Sequence, residues 1–114
     1  LVLACVGGTP TFRIVNAEVL RPLRPQGILV NFARGSVVDQ TALIDALVHQ
    51  TIAGAGLDVL ENDPGAPQVL RDLSNVVFTP HMGSATVDTR LDMQNCVLAN
   101  VAEFLRSGTM LDPI

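Results

Sequence analysis

Short apolar runs alternate with amphipathic or polar segments along the whole chain. Four runs predict strands, at residues 1–5, 27–32, 53–59 and 75–79, and the unbroken run 28–30 is typical of a strand covered on both faces. Helical spacing predicts helices at 14–20, at 40–48 and in a longest segment that follows Ser84 as N-cap and ends at Gly108. Residues 61–74 are polar and predict a loop. Strands alternating with helices indicate an α/β fold whose parallel sheet has right-handed crossovers.

The stretch 27–39 combines a buried strand, a tight loop and a helix start. Arg34 follows the apolar run at once, Gly35 beside it lets the backbone turn, and Asp39 is placed to cap the next helix. Open α/β sheets bind ligands outside the carboxyl ends of their strands. Arg34 is therefore either a ligand contact or a loop charge paired at the surface, and its position alone leaves both readings open.

Parallel strands end at one edge of a sheet, so the residues after each strand are expected to meet there. This edge would collect an arginine, a carboxylate and a histidine among the following residues: Cys5, Phe32, Arg34, Asp58, His81 and Gly83. Each has an ordinary structural explanation, because Asp58 can cap a backbone turn and His81 can be a half-buried histidine with satisfied hydrogen bonds. Their convergence favours a binding or catalytic site.

Composition narrows the class of protein. The 114 residues allow one domain at most, and the net charge of −4 without any basic cluster argues against a nucleic-acid partner. No apolar run is long enough for a membrane span. Cys5 and Cys96 show no metal-ligand or redox spacing, so we expect no metal site and free thiols in a reducing, cytoplasmic compartment. The chain starts on Leu1 inside an apolar run, which suggests part of a longer protein.

Gly54 and Gly56 resemble the start of a dinucleotide-binding glycine fingerprint. The third glycine is missing, and the pair precedes the core of a predicted strand rather than following one. We interpret both as glycines that allow close packing.

Three blocks of the chain resemble the signature blocks of the D-isomer-specific 2-hydroxyacid dehydrogenases, in matching order and spacing. They are VNFARGSVVD at 30–39, GAGLDVLENDP at 54–64 and TPHMGSAT at 79–86. The last block and the helix after it most resemble the glyoxylate/hydroxypyruvate and hydroxyphenylpyruvate reductase branch. The resemblance implies that residues 1–114 are the C-terminal half of a Rossmann-type, doubly wound NAD(P)-binding domain plus a long C-terminal helix. The fingerprint half and the substrate domain would lie outside this chain.

The resemblance also implies catalytic roles. Arg34 matches the arginine that holds the carboxylate and keto oxygen of the substrate, and His81 matches the residue that protonates the keto oxygen during reduction. The third catalytic position, a glutamate in the family, is Asp63 here, whose side chain is shorter by about 1.3–1.5 Å. Glu61 is a less favoured substitute for it.

The implied cofactor is NAD or NADP, with NADP favoured by the branch. Asp58 matches the residue that bonds the nicotinamide carboxamide, and Val6 stands where the family usually has proline. The cofactor-contacting positions are Cys5, Phe32, Arg34, Asp58, His81 and Gly83.

The implied activity is hydride transfer between NAD(P)H and a small 2-oxo acid, in a full-length protein that forms a homodimer. Two alternatives stay open. The protein could be a dinucleotide-sensing binding module of the same fold, or this 114-residue piece could itself be an inert fragment.

Overall fold

The computed structural model describes residues 1–62 and 65–113, and it divides into two compact units, Leu1–His81 and Met82–Ile114. The first unit contains the strands β1 (Val2–Leu3), β2 (Ile28–Asn31), β3 (Gly54–Leu57) and β4 (Val76–Phe78). Its α-helices are α1 (Ala17–Leu20), α2 (Gln40–Val48) and α3 (Gln68–Arg71), with 3-10 turns at Thr9–Thr11, Arg21–Leu23 and Gly35–Val37. The second unit contains one long helix, α4 (Val87–Ser107).

All four strands are parallel and lie in the order β1-β2-β3-β4. Val30 of β2 is opposite Val2 on one side and Gly56 on the other, and Gly56 is opposite Val77. The predicted α/β fold with a parallel sheet is confirmed. As a consequence, the carboxyl ends of the four strands lie along one edge.

The core is aliphatic and lies on one face of the sheet. Leu29 of β2 packs in one cluster with Leu20 of α1, Leu43 of α2 and Leu70 of α3, and all four are essentially inaccessible to solvent. The helix face that the sequence predicted from Leu43 and Leu47 is therefore the buried one. Burial of these large aliphatic side chains supplies the main stabilisation of this unit.

The other face of the sheet is largely exposed in this chain. Val2, Ile28 and Val77 are 61%, 55% and 68% exposed, although their sequence neighbours Leu3 and Leu29 are buried. The expectation that β2 is covered on both faces was wrong for the described residues. The physical reason is that α1, α2 and α3 all contribute to the same core cluster, so all three cover one face.

Two helix starts differ from the sequence prediction. Thr86, not Ser84, is the N-cap of α4, and its hydroxyl oxygen accepts the Thr89 N–H at 3.2 Å. Asn16 caps α1, which is therefore shorter than the predicted 14–20. A further short helix, α3, lies in the predicted loop 61–74, where four residues are too few to show a helical period.

Other predicted helix ends are confirmed. The Asp39 carboxylate accepts the N–H groups of Thr41 and Ala42 at 3.1 and 3.2 Å, as expected for the N-cap of α2. Gly108 ends α4 in the left-handed conformation, with its N–H donating to the Phe104 carbonyl at 2.8 Å.

The glycines of the GAG motif lie inside β3 rather than before it. A Cβ at Gly54 would come within 2.5 Å of the Asn75 carbonyl oxygen, so Gly54 is a packing glycine as predicted. The same prediction was wrong for Gly56, because a Cβ there would lie 3.8 Å from Val30, at an ordinary contact distance.

The helix α4 carries an apolar stripe, and none of its residues is buried. Among the described residues, no helix is both long and apolar enough to cross a membrane.

Candidate active site at the carboxyl ends of the strands

A buried amide fixes the turn at the end of β2. Asn31 is only 1% exposed; its Oδ1 accepts the Ala33 N–H at 3.0 Å and its Nδ2 donates to the Arg34 carbonyl at 3.1 Å. Both ends of the amide are therefore satisfied, as a buried polar group requires. Asn31 was not among the predicted site residues, although a polar residue that closes an apolar strand is a usable signal.

The Arg34 side chain lies exposed at this edge and folds back over the loop after β1. Its Nη1 donates to the Ala33 carbonyl at 2.7 Å. A Cβ at Gly7 would come within 2.7 Å of Arg34 Cγ, so the absence of a side chain at residue 7 leaves the room that Arg34 occupies.

Gly35 is required for a different reason from the one expected. A Cβ at Gly35 would lie 1.8 Å from the Leu60 carbonyl oxygen, a distance that no side chain can accommodate. The loop after β2 therefore touches the loop after β3 backbone to backbone. Close approach, rather than a turn that needs glycine, explains this residue.

An open pocket of about 620 Å³ brings together three of the predicted residues, Cys5, Phe32 and Arg34. Gly7 and Gly8 line it as well, and Gly8 has φ 140°, a conformation that favours glycine. Small side chains and exposed backbone thus dominate the wall between the ends of β1 and β2. A flat ring or a phosphate-bearing ligand could approach the main chain here.

Asp58, which follows β3, forms hydrogen bonds with residues at the ends of β2 and β4. It is half-buried, its N–H donates to the Asn31 carbonyl at 2.9 Å, and the Thr79 hydroxyl donates to its carboxylate. The Thr79 carbonyl in turn accepts the His81 N–H at 3.0 Å. The chain after β4 is therefore tied to the carboxylate that follows β3.

His81 is exposed and has a left-handed backbone, with φ 51°. Residues that carry a side chain seldom adopt this conformation, and such residues cluster at functional sites. Because β3 lies between β2 and β4, Arg34 and His81 follow the strands on either side of the one that Asp58 follows.

Two predicted site residues are not among the described residues of the first unit. Asp63 lies outside the described residues, and Gly83 belongs to the second unit. Glu61, the less favoured substitute for Asp63, forms an ion pair with Arg13, whose Nη2 and Nε lie 2.7 and 3.2 Å from Glu61 Oε1. That carboxylate is engaged by an arginine, which does not favour a catalytic role for it.

Arg13 was not anticipated, and no local sequence pattern pointed to it. The hydrogen bond that Arg13 donates to Glu61, together with the negative charge of Glu61, raises the pKa of the Arg13 guanidinium, with a smaller contribution from the charge of Asp39. Among the described residues, no group of three or more histidine, cysteine or carboxylate side chains could hold a metal ion.

The chain is similar over most of its length to several known proteins. The chain is 43% identical over all its residues to the hydroxyphenylpyruvate reductase of Plectranthus scutellarioides, of which it covers 36%. It is 50% identical over 96 residues, or 84% of the chain, to the glyoxylate reductase of Pyrococcus furiosus, of which it covers 29%. The chain thus spans about a third of the length of these relatives.

Among solved structures, the NADPH-dependent glyoxylate/hydroxypyruvate reductase of Sinorhizobium meliloti, in complex with NADP and malonate, aligns with a TM-score of 0.94 and 44% identity. The alignment covers 99% of this chain and 35% of that one. Residues 1–83 match the family described as D-isomer specific 2-hydroxyacid dehydrogenase, NAD binding domain. The chain therefore belongs to the D-isomer specific 2-hydroxyacid dehydrogenase family and corresponds to the C-terminal part of its NAD-binding domain.

Proposed function

We propose that the protein containing this chain transfers a hydride between NAD(P)H and a small 2-oxo acid, as a glyoxylate/hydroxypyruvate reductase-like enzyme. Residues 1–114 would be the part of its NAD(P)-binding domain that contributes the catalytic edge. The observation that carries the proposal is that Arg34, Asp58 and His81 follow three adjacent parallel strands.

The spacing of the strands suits a small substrate. Adjacent strands lie about 4.8 Å apart, so β2 and β4 are about 10 Å apart. An arginine side chain from one strand end and an imidazole from the other can both reach a small 2-oxo acid across that gap.

Arg34 is assigned to the substrate's carboxylate. A guanidinium keeps its positive charge at all working pH values and offers two parallel N–H donors to a carboxylate. One of its donors holds the Ala33 carbonyl, which orients the planar group while the other donors are available for a substrate. Asn31 adds rigidity, because it fixes the backbone on both sides of the same turn.

His81 is assigned to proton transfer at the keto oxygen. Imidazole can donate and recover a proton near neutral pH, which is why histidine is the commonest residue in this role. Asp63 is proposed as the carboxylate that orients it, on the sequence resemblance alone.

The residues fit a nicotinamide dinucleotide on the open pocket between β1 and β2. Gly8 lets a ligand approach the backbone, Arg34 fills the room beside Gly7, and Cys5 and Phe32 line the same wall. Asp58 would accept the amide N–H of the carboxamide, since a carboxylate has about four lone-pair sites and can serve Thr79 and a ligand together. When bound, the nicotinamide supplies the hydride. Gly83 and the preference for NADP are proposed from the resemblance to NADPH-dependent relatives.

The test uses the full-length protein with glyoxylate and hydroxypyruvate, each with NADPH and with NADH. We expect reduction of both acids, and a decrease of kcat/KM by about 10² or more in His81→Gln, because general acid catalysis contributes about 10²–10⁴. Arg21→Gln, an arginine in the turn after α1, is the matched control for Arg34→Gln. Cofactor binding without any reduction would instead support the dinucleotide-sensing module, and an unaffected Arg34→Gln variant would refute the assignment of Arg34.

We also propose a homodimer and a cytoplasmic location for the full-length protein. The location is supported by Cys5 and Cys96, which are both exposed and form no disulfide. Light scattering measures the mass of the purified full-length protein and tests the proposed homodimer. Fractionation of cells tests the proposed location.

A further inference from the structure

We propose that Arg13 is a positioning residue, which fixes the loop carrying Arg34 against the segment that leaves β3. This inference rests on the proposed function, since that function assigns Arg34 to the substrate. Arg13 itself need not touch substrate or cofactor.

The backbone of Arg13 is attached to the loop that carries Arg34. The Arg13 N–H donates to the Ser36 carbonyl at 2.8 Å, and the Val15 N–H donates to the Val37 carbonyl at 3.1 Å. The Asp39 N–H donates to the Val15 carbonyl at 2.9 Å. The loop is thus held along its length by a short parallel ladder, and Arg13 is the ladder residue nearest to Arg34.

The side chain of Arg13 reaches in another direction, to the segment after β3. Both Nη2 and Nε donate to Glu61 Oε1, and the two side chains are 42% and 21% exposed. The guanidinium carbon also lies 5.3 Å from the centre of the Phe12 ring, within the range of a cation–π contact. The Glu61 N–H donates to Gln40 Oε1 at 3.4 Å, so both the backbone and the side chain of Glu61 are held.

The conformation of Arg13 indicates that these contacts hold the residue in place. Its φ is 48°, in the left-handed region, which side-chain-bearing residues adopt infrequently. Such a conformation persists where surrounding contacts determine it. Without the ion pair, fewer contacts would hold residue 13 in the left-handed conformation.

The two loops that Arg13 connects are also in direct contact through Gly35 and the Leu60 carbonyl. That contact limits how closely the loops approach, and the Arg13–Glu61 pair limits how far they separate. Together, the Gly35 contact and the Arg13–Glu61 pair fix the position of Arg34 relative to the carboxyl ends of the strands. Since a displacement of about 1 Å at a reacting group can cost about a hundredfold in rate, the pair is expected to affect catalysis without touching the substrate.

The experiment measures the full-length protein with Arg13→Gln, Glu61→Gln and the double substitution, using glyoxylate and NADPH. We expect each single substitution to raise the KM for glyoxylate about tenfold, with an unchanged Kd for NADPH. The double variant should be no worse than either single variant, because both remove one interaction. Arg106→Gln, which removes the exposed ion pair between Arg106 and Glu103, is the matched control and should leave KM unchanged.

Amide hydrogen exchange separates this proposal from the proposed function. We expect faster exchange at the amides of residue 13, Val15 and Asp39, which donate the hydrogen bonds of the ladder, in Arg13→Gln and Glu61→Gln, and no change there in Arg106→Gln. Unchanged KM together with unchanged exchange would overturn the positioning role, and so would a lower unfolding temperature with normal kinetics of the folded enzyme. If the unsubstituted protein reduces no 2-oxo acid, the proposed function fails, and exchange at the amides of residue 13, Val15 and Asp39 still decides whether Arg13 holds the loop.

Discussion

Gly7 and Arg34 fit each other so closely that a single methyl group on residue 7 would lie 2.7 Å from Arg34 Cγ. The two residues belong to the loops after β1 and β2 and are 27 positions apart in sequence. The Arg34 side chain can therefore adopt this conformation only because residue 7, on the neighbouring loop, has no side chain.

Substitution of Gly7 by alanine is expected to displace the Arg34 side chain. The backbone at Gly7 does not lie in the left-handed region, so alanine is acceptable there and stability should change by less than about 1 kcal/mol. The KM for glyoxylate should rise about tenfold or more in the full-length enzyme. Gly56→Ala, where the new methyl meets only Val30 at 3.8 Å, is the control, and an equal effect of the two substitutions would contradict the prediction.

Replacement of Asn31 by alanine is expected to destabilise the protein by about 1–3 kcal/mol. The substitution leaves the buried Ala33 N–H without its acceptor and removes the donor to the Arg34 carbonyl. Chemical unfolding of the full-length protein measures the change. Asn95→Ala on the exposed surface of α4 should stay within about 0.5 kcal/mol of the unsubstituted protein.

The last turn of α4 should show a pH dependence. A hydrogen bond from Arg106, and a smaller contribution from Ser107, lower the pKa of Glu103 below its usual value of 4.5. Because the pKa is lower in the folded than in the unfolded state, the stabilisation is complete above the usual value and is lost as the pH falls through the folded pKa. NMR titration of the Glu103 carboxyl should show the lowered pKa, and Arg106→Gln should raise it again. A titration that is identical with and without Arg106 would contradict this.

The 114-residue chain on its own is expected to show no turnover. It contains no three-glycine fingerprint, so the backbone loop and helix N-terminus that would bind the pyrophosphate are not encoded in it. A direct assay of NADPH oxidation in the presence of glyoxylate checks this expectation. The full-length protein is measured beside the isolated chain at equal concentration. Measurable hydride transfer by the isolated chain would refute the expectation.

The isolated chain is also expected to self-associate through its uncovered sheet face. Val2 and Val77 are more than half exposed on that face, and contiguous apolar surface favours association. Sedimentation velocity should show a concentration-dependent increase in mass, which the double substitution Val2→Lys and Val77→Lys should reduce. Glu18→Lys with Asp88→Lys, which changes charge by a larger amount without removing apolar surface, is the control.

Much of the fold could be predicted because strands, helix faces and helix caps are each indicated by residues that are close together in the sequence. An apolar run flanked by Gly and Pro indicates a strand, Leu43 and Leu47 one turn apart indicate a buried helix face, and Asp39 before Gln40 indicates a cap. The errors lie where the pattern is short or its partners are distant. The helix α3 has too few residues for a period, and the start of α4 depended on which of two neighbouring hydroxyls faced the first turn.

The alternation of strand and helix determined, from the sequence alone, that the residues at 34, 58 and 81 follow parallel strands and come to one edge. Only the tertiary structure decided how that edge is held. The Arg13–Glu61 pair joins residues 48 positions apart, and the contacts at Gly7 and Gly35 join separate loops. Periodicity reports which side of its own element a residue faces. It carries no information about which loops meet, because that depends on the twist and order of the assembled sheet.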